Sequence, residues 1–158
     1  PEISRAAARE DGPERLRRFL RRAVPLMGAA GLVLAATGAL VAGRLLPLIY
    51  GVEEAIATSV LSFRILVWAI PAVFLYLLGG HVLYAVDRQR RVTATMLGIA
   101  LFNGAVNLVL IPRWAEVGAA VTMLLSEWVL CGLLLGQALR LRALSPLGAK
   151  RRSQPTAG

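Results

Sequence analysis

Apolar residues run through this chain in long blocks parted by short polar breaks, not in the scattered stripes of a helix that faces water on one side. Crossing a bilayer takes roughly 20 mostly apolar residues. Four blocks qualify, at about 23–46, 58–86, 92–111 and 117–139. The pattern predicts an all-α fold, an integral membrane bundle of four transmembrane helices. Residues 1–22 read as a cytoplasmic, basic amphipathic linker helix, with Arg15, Arg18 and Arg22 at helical spacing and Leu16, Phe19 and Leu20 free to face lipid or protein. Residues 140–158 read as a basic, disordered tail, where Pro, Gly and Ser accompany a Lys150-Arg151-Arg152 run.

The last two blocks read as a helical hairpin around the break Ile111-Pro112-Arg113-Trp114-Ala115-Glu116. Its arms carry strongly polar side chains deep in apolar sequence: Asn103 and Asn107 on the first, Glu127 on the second. Asn103 and Asn107 are four apart and share a helix face. Counting ~1.5 Å per residue inward from the break puts Asn103 and Glu127 at one depth, about 14 Å. A charged, unpaired carboxyl near the bilayer centre costs at least ~2.5 kcal/mol. Glu127 should therefore face protein or a water-filled cavity. Two roles stay open for it: a proton or cation relay or polar contact in a substrate cavity, and a Glu127–Asn103 hydrogen bond that locks the hairpin. For the asparagines, packing is the favoured reading. Gly118, Thr122 and Ser126 form a small or hydroxylated stripe on the second arm, and Gly132 with Gly136 forms a GxxxG.

Packing signals fill the other blocks. Gly31, Ala35, Ala39 and Gly43 recur every four residues, a flat strip for a neighbouring helix. Pro25 falls in a first turn, where its missing N–H costs nothing. Residues 46–57 read as an outer connection punctuated by Pro47 and Gly51. Pro71 and Gly79-Gly80 weaken the helical ladder of the second block, and Pro71 is a candidate hinge as well as a static kink. Arg64 can snorkel to the outer boundary. His81 reads as a hydrogen-bonded packing group.

Composition agrees, with 57% hydrophobic residues and a mean hydropathy of +0.65. The net charge of +9 matters through its distribution. Arg5, Arg9, Arg15, Arg17, Arg18, Arg21 and Arg22 precede the first block, Arg88, Arg90 and Arg91 follow the second, and Arg140, Arg142, Lys150, Arg151 and Arg152 follow the last. The alternate connections hold Arg44, Arg64 and Arg113, offset by Glu53, Glu54 and Glu116. The positive-inside rule then places both ends and the 87–91 loop in the cytoplasm, as an even number of crossings requires. In so apolar a chain, the basic segments point to anionic lipids at the cytoplasmic face and not to nucleic acid. No cleavable signal peptide is visible, and the missing initiator Met raises the expectation of a fragment. The single cysteine, Cys131, lies inside an apolar helix and reads as a packing residue. No catalytic set, phosphate loop or metal-ligand cluster is legible, so no enzyme, cofactor or metal site is expected.

Leu110-Ile111-Pro112, Gly118-Ala119-Ala120 and Leu125-Ser126-Glu127 resemble the late signature of polysaccharide transporters, the oligosaccharide flippase branch of the multidrug/oligosaccharidyl-lipid/polysaccharide exporter superfamily. Pro1-Glu2-Ile3-Ser4-Arg5 with residues 15–22 resembles that family's cytoplasmic linker, Leu48-Ile49-Tyr50-Gly51-Val52-Glu53 its outer loop, and Asp87-Arg88-Gln89-Arg90 its inner one. The likeness extends to about Leu139, with three departures. Ala115 stands where the family usually has Gly, Glu116 where it is apolar, and Glu54 where it is aromatic.

The resemblance implies two six-helix lobes around a central cavity that opens alternately to either side. This chain would be the last four helices of the second lobe, partnered by the missing N-terminal helices of a parent protein. The implied function is transfer of lipid-linked oligosaccharide across the bacterial inner membrane. Glu127, Asn103 and Asn107 are then candidates for the substrate or ion path, Arg64 and Arg88 for the pyrophosphate, and Pro71 for a hinge. Alternatives are a lipid II flippase or a drug/cation antiporter of the same superfamily and, from another class, a membrane scaffold that moves nothing.

Overall fold

A backbone in apolar surroundings has no water to bond and closes its own hydrogen bonds, which long apolar blocks do as helices. A computed structural model of the chain describes the backbone of residues 12–50 and 54–152 and the side chains of 18–50 and 56–140. No strand occurs among the described residues. Helix α1 is Gly12–Tyr50, α2 Glu54–Leu66, α3 Ile70–Ala85 and α4 Gln89–Arg152, and a 3₁₀ turn, Val67–Ala69, joins α2 to α3.

Among the described residues, three stretches are long and apolar enough to cross a membrane: Arg18–Tyr50, Ile56–Ala85 and Gln89–Arg140. The expected count of four is therefore not reached: the third stretch takes in both of the last two blocks, two helical arms that follow one another across a kink at Ala115. The junction is sharply bent. Ala115 has φ 46° and ψ −126°, the geometry of a turn position that glycine dominates. Three residues on, Gly118 lies so close to Leu110 that a Cβ there would come within 2.5 Å of the Leu110 carbonyl oxygen. The chain doubles back at this point, giving an outgoing arm before Ala115 and a returning arm after it.

Three other expected boundaries move. The linker and the first block form one helix of 39 residues with Pro25 and Pro47 inside it. The connection expected at 46–57 is helical at 46–50 and 54–57, which leaves 51–53 between the helices. The tail expected to be disordered continues α4 as far as Arg152, in keeping with its Ala, Leu and Arg content. Residues 1–11, 51–53 and 153–158, which include Arg5, Arg9 and Glu53, lie outside the described residues.

The small-residue strip of α1 packs within the chain at Gly31 and Ala35, and the packed face then shifts to Gly38 and Ala42, with Ala39 half-buried and Gly43 exposed. A Cβ on Gly31 would lie 2.6 Å from the Pro71 Cα, Gly38 faces Val67, and Ala35 and Ala42 are fully buried. On the other flank of α3, Gly79 abuts the backbone of Leu134 on the returning arm. Leu20 of α1 joins Val82, Leu83, Val92, Leu130, Leu134 and Ala138 in the core.

At the end opposite Ala115, Asp87 takes φ 57°. The Asp87 N–H donates to the Tyr84 carbonyl at 3.1 Å and the Arg88 N–H to that of Leu83 at 2.9 Å, the paired bonds of a Schellman close. The Arg88 carbonyl then accepts the Arg91 N–H at 2.9 Å and starts α4.

Thermal melts in detergent, followed by far-UV circular dichroism, check the hairpin tip. Ala115→Gly relieves the positive φ and should stabilise by about 1 kcal/mol. Gly118→Ala should cost ~1–3 kcal/mol. Gly132→Ala, whose new methyl would meet nothing within 4 Å, should leave the melting temperature unchanged or slightly raised. Equal melts for the Gly118 and Gly132 variants would remove the close contact from the account of the turn.

Candidate functional site

The hairpin concentrates the buried polar groups. With Gly118 seated on Leu110, the register brings Ser126 opposite Asn103, and the Asn103 amide donates to the Ser126 hydroxyl at 2.9 Å. One turn along, the Asn107 amide donates to the Asn103 carbonyl oxygen at 2.9 Å. Thr122, fully buried, turns its hydroxyl back to the Gly118 carbonyl at 2.9 Å, a bond that hides its polarity within its own helix. Gly118, Thr122 and Ser126 thus line the interface between the arms. Farther along, the Gln137 amide donates to the Thr95 hydroxyl at 3.1 Å, which in turn donates to the Arg91 carbonyl at 2.8 Å.

Glu127 does not take part in this row. The Glu127–Asn103 bond expected from matched depth is not formed; Ser126 has that place. One residue along a helix is a rotation of about 100°. Glu127 therefore falls on the stripe of Cys131, Leu134 and Ala138, three buried residues of which Leu134 and Ala138 join the core with α3. Its Oε2 is buried with no hydrogen-bond partner, as are the Asn107 Oδ1, the Gln137 Oε1 and the Ser62 Oγ.

The remaining candidates stand apart from the row. Arg64, exposed at the end of α2, lies across α1 and donates from Nε to the Ala39 carbonyl at 3.2 Å. Its guanidinium also meets Gly43, whose carbonyl has lost its usual helical donor to Pro47. Arg88 joins α3 to α4 through its backbone at the opposite end. Pro71, the candidate hinge, begins α3 and is fully buried against Gly31. His81 is exposed. Asn103 and Asn107 come together, whereas Glu127, Arg64, Arg88 and Pro71 are distributed over other faces.

Two polar links were missed in the sequence. Gln137 and Thr95 sit near block ends, where a polar residue carries little information. The Trp128 indole N–H donates to the Trp68 carbonyl at 3.1 Å, and a tryptophan in an apolar block signals bulk more readily than a donor. Pro71 three residues after Trp68 was the available clue, since it supplies no N–H to the 3₁₀ turn.

A double-mutant cycle on Asn103→Ala and Ser126→Ala, read by unfolding in mixed micelles, should give a coupling of ~0.6 kcal/mol and at most ~1.7, the range of such bonds between membrane helices. The cycle Asn103→Ala with Glu127→Ala should give none. A coupling found in the second cycle and absent from the first would reverse the assignment. No family model, curated protein or solved structure matches this chain.

Proposed function

We propose that this chain is part of a flippase that carries lipid-linked oligosaccharide across the bacterial inner membrane by alternating access, forming the end of its second lobe. In this reading the two arms of α4 cross the membrane separately, giving four crossings with both ends cytoplasmic. The observation that carries it is Glu127, an ionisable group with a buried, unpartnered oxygen in the middle of an apolar helix. A membrane protein tolerates that cost where an ion or substrate meets the group. The motif order around the hairpin supports the family, and the alternation of arginine-rich connections supports the orientation. Gly98, Gly104, Gly132 and Gly136 have open space where a Cβ would stand, which suits close approach by helices of the remaining lobe. Asn103 and Asn107 would border the path, and Arg64 and Arg88 are the cations available to a pyrophosphate.

A non-transporting membrane scaffold is the second reading. It is favoured by the Asn107–Asn103–Ser126 row, which is largely satisfied within the chain and needs no substrate to explain it.

Proteoliposomes holding the full-length protein and a fluorescent lipid-linked oligosaccharide separate the two. Glu127→Gln should slow transfer by about tenfold or more and flatten its dependence on a proton or sodium gradient. Unchanged rates would leave the scaffold. The crossings are checked by impermeant maleimide labelling in a Cys131→Ser background: Arg113→Cys should react from outside intact cells and Arg88→Cys only after permeabilisation. Both reacting from one side would show that the arms of α4 do not cross separately.

A further inference from the structure

The bundle opens where α1 leaves it. Arg18 and Arg22 are one helical turn apart on one face of α1, both exposed. They stand at the mouth of a cleft of about 650 Å³ walled by Phe19, Leu26 and Met27 of α1 and by Leu78 of α3. Its origin is the way α1 is held. Farther along, Gly28 and Gly31 bring α1 down onto Leu75 and Pro71, while Leu20, on the opposite side of the helix from the two arginines, plugs into the core. The face of Arg18, Arg22 and Leu26 is left uncovered. Polarity along it is ordered: two cations, then apolar wall as far as Leu26, about 12 Å from Arg18 at ~1.5 Å per residue. Residues 18–50 contain no carboxylate, and Glu14, four residues before Arg18, is the nearest one in sequence on this helix.

We infer that this cleft binds an anionic phospholipid, its phosphate between Arg18 and Arg22 and an acyl chain along Leu26, Met27 and Leu78. The volume falls in the range of small-molecule sites, ~300–1,000 Å³. Charge and wall together select the occupant. A free phosphate would leave the apolar walls uncovered, and a zwitterionic lipid would bring its own cation up to two guanidiniums. A smaller cleft of about 240 Å³ on the other flank of α1, with Arg21 above Pro25, Leu135 and Leu139, has the same order of polarity with one cation. The inference requires that this end of α1 meets a lipid leaflet and does not depend on transport.

Native mass spectrometry of the whole chain, released from a neutral detergent with phosphatidylglycerol or phosphatidylcholine of the same acyl length, tests it. Phosphatidylglycerol should be retained preferentially. The variant R18Q/R22Q should lower its affinity about thirtyfold, the weight of two arginines at headgroup level, and R18K/R22K should restore most of it, which separates lost charge from misfolding. Leu78→Trp, which fills the cleft without altering charge, should also reduce retention. R90Q/R91Q, with the same change in net charge elsewhere, should not. Equal retention of the two lipids, equal loss in R90Q/R91Q, or displacement by inorganic phosphate would each overturn the assignment, the last in favour of a free-anion site.

Discussion

The contact of Gly118 with the Leu110 backbone fixes the register between the arms of α4, and most of the polar structure depends on that register. With the two backbones touching there, Asn103 meets Ser126 and Thr95 meets Gln137. A slip of one residue would turn the returning arm by about 100°, carrying Ser126 away and moving a carboxyl into the row. The same register aims Leu134 and Ala138 at the core, where Gly79 removes the side chain that would keep α3 at a distance. One glycine at the tip thus sets the pairing between the arms and, through it, the face that the hairpin offers to α3.

Elsewhere the turn before Pro71 depends on covering carbonyls for which proline supplies no donor. Pro71 cannot donate to Val67 four residues earlier, and the Ile70 N–H bonds that carbonyl instead, which tightens the turn to 3₁₀. The neighbouring Trp68 carbonyl takes the Trp128 indole from the returning arm, while Pro71 itself fills the space that Gly31 leaves. Held from both flanks, this kink would have to give up an indole bond and a close helix contact before it could flex. Around Pro47, α1 continues as helix and Arg64 of α2 lies against Gly43, whose usual donor is missing. At Pro71 a side chain from a neighbouring helix bonds the irregular backbone, which is how such backbone persists away from water.

Much of this was legible in the chain and some was not, for definable reasons. Block length reports helix directly, and Gly31 and Ala35 of the four-residue strip mark the packed face of α1, which then continues through Gly38 and Ala42 and leaves Gly43 exposed. Ala115 was noted where a glycine is usual in the resembling family, and a positive φ is found there. Counting residues from the break gives depth along a helix but not the direction in which a side chain leaves it, so Glu127 was set against Asn103 when its neighbour Ser126 is the partner. The count of long apolar stretches differed because the two arms meet at a kink of one non-helical residue, with no separate loop between them. Polar residues in mid-block were found from sequence; their partners required the register.

The unsatisfied atoms limit what the hairpin can receive. Asn107 Oδ1 and Gln137 Oε1 are acceptors without donors, Glu127 Oε2 accepts when the carboxyl is ionised and can donate when it is protonated, and Ser62 Oγ can give as well as take. An unmade bond at a buried acceptor costs ~1–3 kcal/mol, so occupancy by a donor is favourable and occupancy by another acceptor is not. Hydroxyl groups and cations meet that requirement. A pyrophosphate, all acceptors and negative, does not. In the flippase reading the sugar end of the substrate would sit by the asparagines, a coupling cation by Glu127 on another face of the returning arm, and the pyrophosphate with arginines away from both. The two ends of one lipid-linked substrate would then be recognised on different faces of these helices, as expected where neutral hydroxyl donors and an anion must both be met in an apolar medium.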